Sequence, residues 1–154
     1  MRRLASLLSA ALLSGATLWT AGLDAETPTI AVVANKESRV ASLSRDELRQ
    51  IFQTKTTRLP DGTRSDPVNL PQGNEVRTSF DRAVLGMDPN QVARYWVDRK
   101  IRGGNGPPKR LPSSLLVVKH VARTPGGLGY VPASAVTSEV TVVARVNGGQ
   151  VTAP

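Results

Sequence analysis

Thr29-Ile30-Ala31-Val32-Val33-Ala34 is an apolar run without helical period, and it stops at Asn35. Its length and lack of a 3.6-residue repeat predict a buried strand. A helix start comes next. Ser44 and, three residues on, Glu47 form a capping box, and Leu43 and Leu48 stand where a hydrophobic staple places them. Leu48, Ile51 and Phe52 share one face, so a short amphipathic helix is expected to pack on the sheet. Leu59-Pro60-Asp61-Gly62-Thr63 is a turn in which Pro60 presets φ and Gly62 takes the positive φ. Pro67 to Leu70 is a second candidate strand.

Asn74 caps a further helix, in which Val76, Phe80 and Val84 recur at i, i+4 and i+8 before a stop at Gly86. Asp88-Pro89-Asn90-Gln91 restarts it: Asp88 as N-cap, Pro89 at the first helical position, and Gln91 completing a second box. This helix runs through Val92, Tyr95, Trp96 and Arg99 to about Ile101. Arg102 to Pro112 holds too much Gly and Pro for regular structure and is expected to be the longest loop. Ser113 or Ser114 starts a helix to about Arg123, and Pro125-Gly126-Gly127 ends it. Leu128 to Val131 is a short strand and Val140 to Val146 the last one. Asn147-Gly148-Gly149 reads as a turn, and the remaining residues to Pro154 as a frayed end. Strands alternating with helices predict an α/β layer structure.

Composition excludes several chemistries. The 154 residues hold no Cys and one His, so disulfides, zinc ribbons, iron–sulfur clusters, cysteine nucleophiles and multi-histidine metal centres are ruled out. Twenty Lys+Arg against 12 Asp+Glu give a net charge of +8. Met1-Arg2-Arg3, the apolar stretch Leu4 to Leu18 and the small residues Thr20 to Ala25 read as a secretory leader over 1–25. Cleavage is expected after Ala25, with Ala21 and Gly22 as other ends; a retained membrane-anchoring helix is the alternative. Removing the leader leaves a net charge of +7 on an exported, periplasmic domain. No stable membrane anchor is expected after cleavage.

The sequence has no Gly-x-Ser-x-Gly elbow, no phosphate-cradling loop ending in Gly-Lys-Ser/Thr and no His-Glu-x-x-His. A Ser-His-Asp triad has only His120 to use, and this residue sits in an apolar helix, where a structural role is the simpler reading. No catalytic residue, cofactor or metal site is expected. Arg94, Arg99, Lys100, Arg102, Lys109 and Arg110 concentrate positive charge against Asp98 alone. They are either a solvated face or a surface for an acidic partner. Nucleic acid is disfavoured, because export removes it and five aromatics from Phe52 to Tyr130 offer little stacking.

In order, Ile30 to Asn35, Leu43-Ser44-Arg45-Asp46-Glu47-Leu48-Arg49-Gln50-Ile51-Phe52, Arg77-Thr78-Ser79-Phe80 and Thr124-Pro125-Gly126-Gly127-Leu128-Gly129-Tyr130-Val131 resemble the phosphate-binding proteins of ABC transporters. The resemblance covers about residues 29–146. That family holds its anion between two α/β lobes, and the matched segments resemble one of them. The implied fold is α/β: a single periplasmic-binding-protein-like lobe over 26–146, a small mixed sheet flanked by helices, with a tail at 147–154. The family's Ser-Gly-Thr-Arg ligand motif falls on Asn74, Glu75, Val76 and Arg77, so the hydroxyls are replaced and the Arg is kept. The resemblance therefore implies a ligand site at Gly73, Asn74 and Arg77, expected to face the strand end at Asn35. The implied function is non-enzymatic binding of phosphate or another small anion. The alternative is an interaction module that has lost its ligand and meets an envelope protein or itself.

Overall fold

Ile30–Asn35 forms strand β1 in the computed structural model, which describes residues 28–154. The expected leader lies outside the described residues. Every residue of β1 is buried, because it occupies the interior of the sheet between β4 (Gly127–Pro132) and β5 (Val140–Asn147), antiparallel to both. A strand flanked on both edges and covered on both faces favours apolar side chains, which explains the apolar run from Ile30 to Ala34; the buried polar residue at its end, Asn35, is hydrogen-bonded.

The six-stranded mixed sheet has the order β3-β2-β4-β1-β5-β6. Strand β2 (Asp66–Asn69) runs parallel to β4, and β3 (Lys109–Arg110) runs parallel to β2. Two expectations are corrected at the sheet's edges. Within Arg102 to Pro112, Lys109 and Arg110 form a strand, because the free edge of β2 offers them partners; the next N–H, of Leu111, reaches Asn69 O at 2.8 Å. The segment after Gly149 is not frayed: Gln150–Thr152 is β6, paired with β5. The turn between them holds Gly148 and Gly149 at φ of 54° and 78°, both in the left-handed region that tight two-residue hairpin turns require.

The helices follow their caps. In α1 (Arg45–Phe52) the Ser44 hydroxyl accepts from Glu47 N and the Glu47 carboxylate accepts from Ser44 N, while Leu43, Leu48, Ile51 and Phe52 are buried. Asn74 caps α2 (Glu75–Phe80), which widens into a π-turn over Asp81–Leu85 and stops at Gly86 with φ 70°. The wider turn, where a regular helix was expected, buries Asp81, Ala83, Val84 and Leu85 together. Asp88 and Gln91 close the second box on α3 (Pro89–Ile101), and Ser113 caps α4 (Ser114–Arg123).

Helix α4 lies against β4 and β1, with Val117, Val118 and Val121 turned inward. Gly129 makes this approach feasible, since a Cβ there would overlap the Val117 side chain. Phe80 stacks on Tyr130 with ring centroids 3.8 Å apart, and Phe52 meets Phe80 edge-on at 4.8 Å. These three rings join α1, α2 and the sheet.

Candidate functional site

Polar residues at the end of β2 set the geometry of the expected ligand site. The Tyr130 hydroxyl donates to Asn69 Oδ1 and accepts from Leu70 N, which fixes the chain as it leaves the sheet. Burial, and then the charge of Asp81, push the Tyr130 phenol up from its ordinary range. Gly73, at φ 82°, turns the chain into the N-terminus of α2, and Asn74 Oδ1 accepts from Arg77 N at 3.2 Å. Gln72, Gly73, Arg77, Thr78 and Asp81, with Pro89 and Val92 of α3, line a cavity of about 60 Å³.

Arg77 is already engaged. It is 5% exposed; Nη1 donates to Leu70 O at 2.8 Å and Nε donates to Asp81 Oδ2 at 3.4 Å. Asp81 is 6% exposed. Burial raises its carboxyl from 3.8 to about 6 against the opposing pull of the Arg77 guanidinium. Near neutral pH it is therefore ionised and neutralises the one basic side chain that lines the cavity. Glu75, exposed in the first turn of α2, adds a second negative charge beside the helix start.

Asn35 does not join this group. β1 is antiparallel to β4 and β2 is parallel to β4, so Asn35 lies beside Asp66 and Gly127, at the end of the sheet opposite to Leu70 and Gly73. There its Nδ2 donates to the carbonyls of Val121 and Ala122 at 2.9 and 3.0 Å, and its Oδ1 accepts from Glu37 N. Asn35 thus satisfies the last carbonyls of α4, acceptors that a helix terminus leaves open. The expected facing of Asn35 and the α2 start is corrected by strand direction.

The basic stretch divides three ways. Arg94 and Lys100 are exposed on α3 and Arg102 just after its end, with Arg102 paired to Asp98 at 3.1 Å. Arg99 turns inward and donates to Thr54 O at 2.8 Å and to Asn105 O at 3.3 Å, fastening α3 and its following loop to the end of α1. Lys109 and Arg110 stand exposed on the edge strand β3. Sequence reasoning passed over exposed apolar residues on α3 and at the start of α4. Val97 and Ile101, one turn apart on α3, are 61% and 80% exposed, and Leu115 and Leu116 open α4 at 59% and 41%. Their signal was their position off the helical stripe set by buried neighbours.

His120 Nε2 lies 2.8 Å from Asp66 Oδ2, tying α4 to the first residue of β2. Among the described residues, no three His, Asp or Glu side chains converge as a metal site would need, and no helix is long and apolar enough to cross a membrane.

The sheet order, the helices on its faces and the α2 start after β2 define a single lobe of the periplasmic-binding-protein type. Three solved structures that share this fold are described as phosphate-transport or phosphate-binding proteins. An ABC-type phosphate transport receptor from Vibrio cholerae matches with a TM-score of 0.60 and 15% identity, over 77% of this chain and 47% of that one. A candidate phosphate ABC transporter substrate-binding protein from Clostridium perfringens, solved with bound phosphate, matches with a TM-score of 0.61 and 18% identity, over 77% and 46%. A phosphate-binding-protein candidate from Planctomyces limnophilus matches with a TM-score of 0.54 and 16% identity, over 77% and 42%. The chain thus spans less than half the length of these structures, and at such identities the likeness is one of fold. No protein-family model and no curated protein sequence matches the chain.

Proposed function

We propose that the chain is an exported, non-catalytic binding module built on one lobe of the phosphate-binding-protein fold, and that it works by docking on another molecule. The reading takes the leader over 1–25 as cleaved, 26–146 as the domain and 147–154 as its C-terminal segment. The observation that carries it is the state of Arg77. Its counter-charge is Asp81, at 3.4 Å within the same buried patch, so an arriving anion would displace an internal ion pair rather than meet an open cation. Anions at a helix start gain only about 0.3–1 kcal/mol from the dipole at exposed sites, too little to offset that exchange.

Isothermal titration of phosphate and of sulfate, paired with thermal melts, tests this. Above the Asp81 pKa of about 6, millimolar phosphate is expected to give neither heat nor a melting shift. Heat and stabilisation there would overturn the docking reading, because any ligand of the native state raises its stability.

A second reading, a weak site for phosphate or another small anion at Gly73, Asn74 and Arg77, is favoured by the cavity beside Arg77 and by the raised Asp81 carboxyl. Once Asp81 is protonated, Arg77 carries an uncompensated charge against that cavity. Phosphate binding confined to pH below about 6, and lost in Arg77→Met, supports the second reading. Silence on both sides of that pH removes it.

A further inference from the structure

Helix α4 turns Val117, Val118 and Val121 into the core but leaves Leu115 and Leu116 in water. Leu116, Lys119, His120 and Arg123 follow one another at helical spacing on the face beside the core stripe. Together with Leu111 and Thr124 they line a mostly apolar groove of about 260 Å³. Leu111 is fixed there, since its N–H is bonded to Asn69 O and its side chain packs on the core.

The rim of this groove is cationic and unbalanced. Among the described residues, Lys119 and Arg123 have no carboxylate within 4.0 Å, nor do Lys109 and Arg110 on the adjoining edge strand. The one carboxylate bonded to a lining residue, Asp66, is held by His120. Exposed leucines beside unpaired cations call for an occupant that is both apolar and acidic. A second copy of the chain fits poorly: it is itself strongly basic, and its Asp46-Glu47 pair is occupied at the cap of α1. A bilayer is flat, whereas Leu111 and Leu116 border a shallow groove of about 260 Å³.

We propose that the α4 groove binds an acidic segment of another protein. An apolar side chain of that segment rests on Leu111 and Leu116, and its carboxylates face Lys119 and Arg123. The inference rests on the docking reading above and names the partner's chemistry. The two fail separately, because the groove shares no lining residue with the Gly73 cavity that a phosphate titration reads.

The test is fluorescence anisotropy of the full chain with a labelled glutamate-rich peptide carrying central leucines. The same peptide with serines for leucines is the control. Binding is expected to weaken about tenfold or more in Lys119→Glu/Arg123→Glu, and to fall as salt rises. Leu116→Ser should weaken it as well, with melting temperatures held. No binding, or binding unchanged in these variants, overturns the proposal. Equal binding of the serine peptide also does, since it marks charge attraction without a seat. Self-association by light scattering that the same variants abolish assigns the groove to a second copy and likewise overturns it. Should a variant not fold, the serine control and the salt series on the unmodified chain decide alone.

Discussion

Asp81 gives the fold an unusual dependence on pH. Its carboxyl is raised from 3.8 to about 6, chiefly by burial, with Arg77 pulling the other way. Between those values the native state keeps a proton that the unfolded chain has released. Unfolding there releases the proton, so the stability due to this group declines as pH rises from about 4 to about 6 and is level above. At 1.36 kcal/mol per unit, the raised carboxyl amounts to about 3 kcal/mol, a large part of a stability of typically 5–15 kcal/mol. The side chain is 9% exposed, so solvent screens little of this. Asp61 acts with the opposite sign: the Thr63 backbone N–H, above all, holds its carboxyl below 3.8, so its contribution is lost only in stronger acid.

Urea unfolding across this window, followed by tryptophan fluorescence, measures the effect. Asp81→Asn serves as the reference because it keeps an acceptor for Arg77 Nε and removes the titration. The difference between wild type and variant is expected to change by about 3 kcal/mol between pH 4 and pH 7, in favour of the variant as pH rises. Parallel profiles, or a difference of opposite slope, would refute the reasoning, because they would place the desolvation cost no higher than the Arg77 attraction.

Arg77→Met leaves Asp81 buried without a counter-charge and should cost about 3–5 kcal/mol at neutral pH, less in acid. Adding Asp81→Leu should restore most of it in the same urea assay; no recovery would mean that the lost bond to Leu70 O dominates. Thr54 holds φ at 53° with its hydroxyl buried and unpartnered. Thr54→Gly relieves a left-handed strain of about 1–2 kcal/mol and is expected to raise stability by about 1 kcal/mol, read from urea midpoints. A lower midpoint would show that the threonine methyl packs usefully. Gly126 has φ 74°, and a Cβ there would overlap the Arg64 carbonyl oxygen. Gly126→Ala should therefore cost about 3 kcal/mol or more, and a loss below about 1 kcal/mol would contradict the close approach.

What was legible in the sequence was local. Capping boxes at Ser44 and Asp88, the turn at Gly62 and the stop at Gly86 each depend on residues within four positions, and the structure has them as read. Strand direction is not local. Nothing within Ile30 to Asn35 states that β1 opposes β2, and that fact alone separates Asn35 from Gly73. The edge strands β3 and β6 were missed for the same reason, since Gly- and Pro-rich flanks argue against regular structure until an unpaired neighbour supplies the bonds. Arg77 was found by its place in a motif, but its partner was also within reach. Asp81 stands at i+4 on a helix whose Val76 and Phe80 are apolar, and that spacing puts the pair beside a buried stripe.

The distribution of charge over the described lobe supports the docking reading proposed above. An anion enclosed between two walls loses its water, so each N–H and guanidinium contact acts through a low dielectric and gains several-fold over the same contact in water. In the wall that residues 28–154 supply, the one basic side chain lining the Gly73 cavity is Arg77, already paired with Asp81. There the attraction of Arg77 is divided with Asp81 and opposed by Glu75. Unpaired cations that stand beside exposed leucines lie elsewhere, at Lys109, Arg110, Lys119 and Arg123. A partner that buries those leucines removes water from the same cations. Apolar contact and charge pairing then strengthen each other, as they cannot at Arg77.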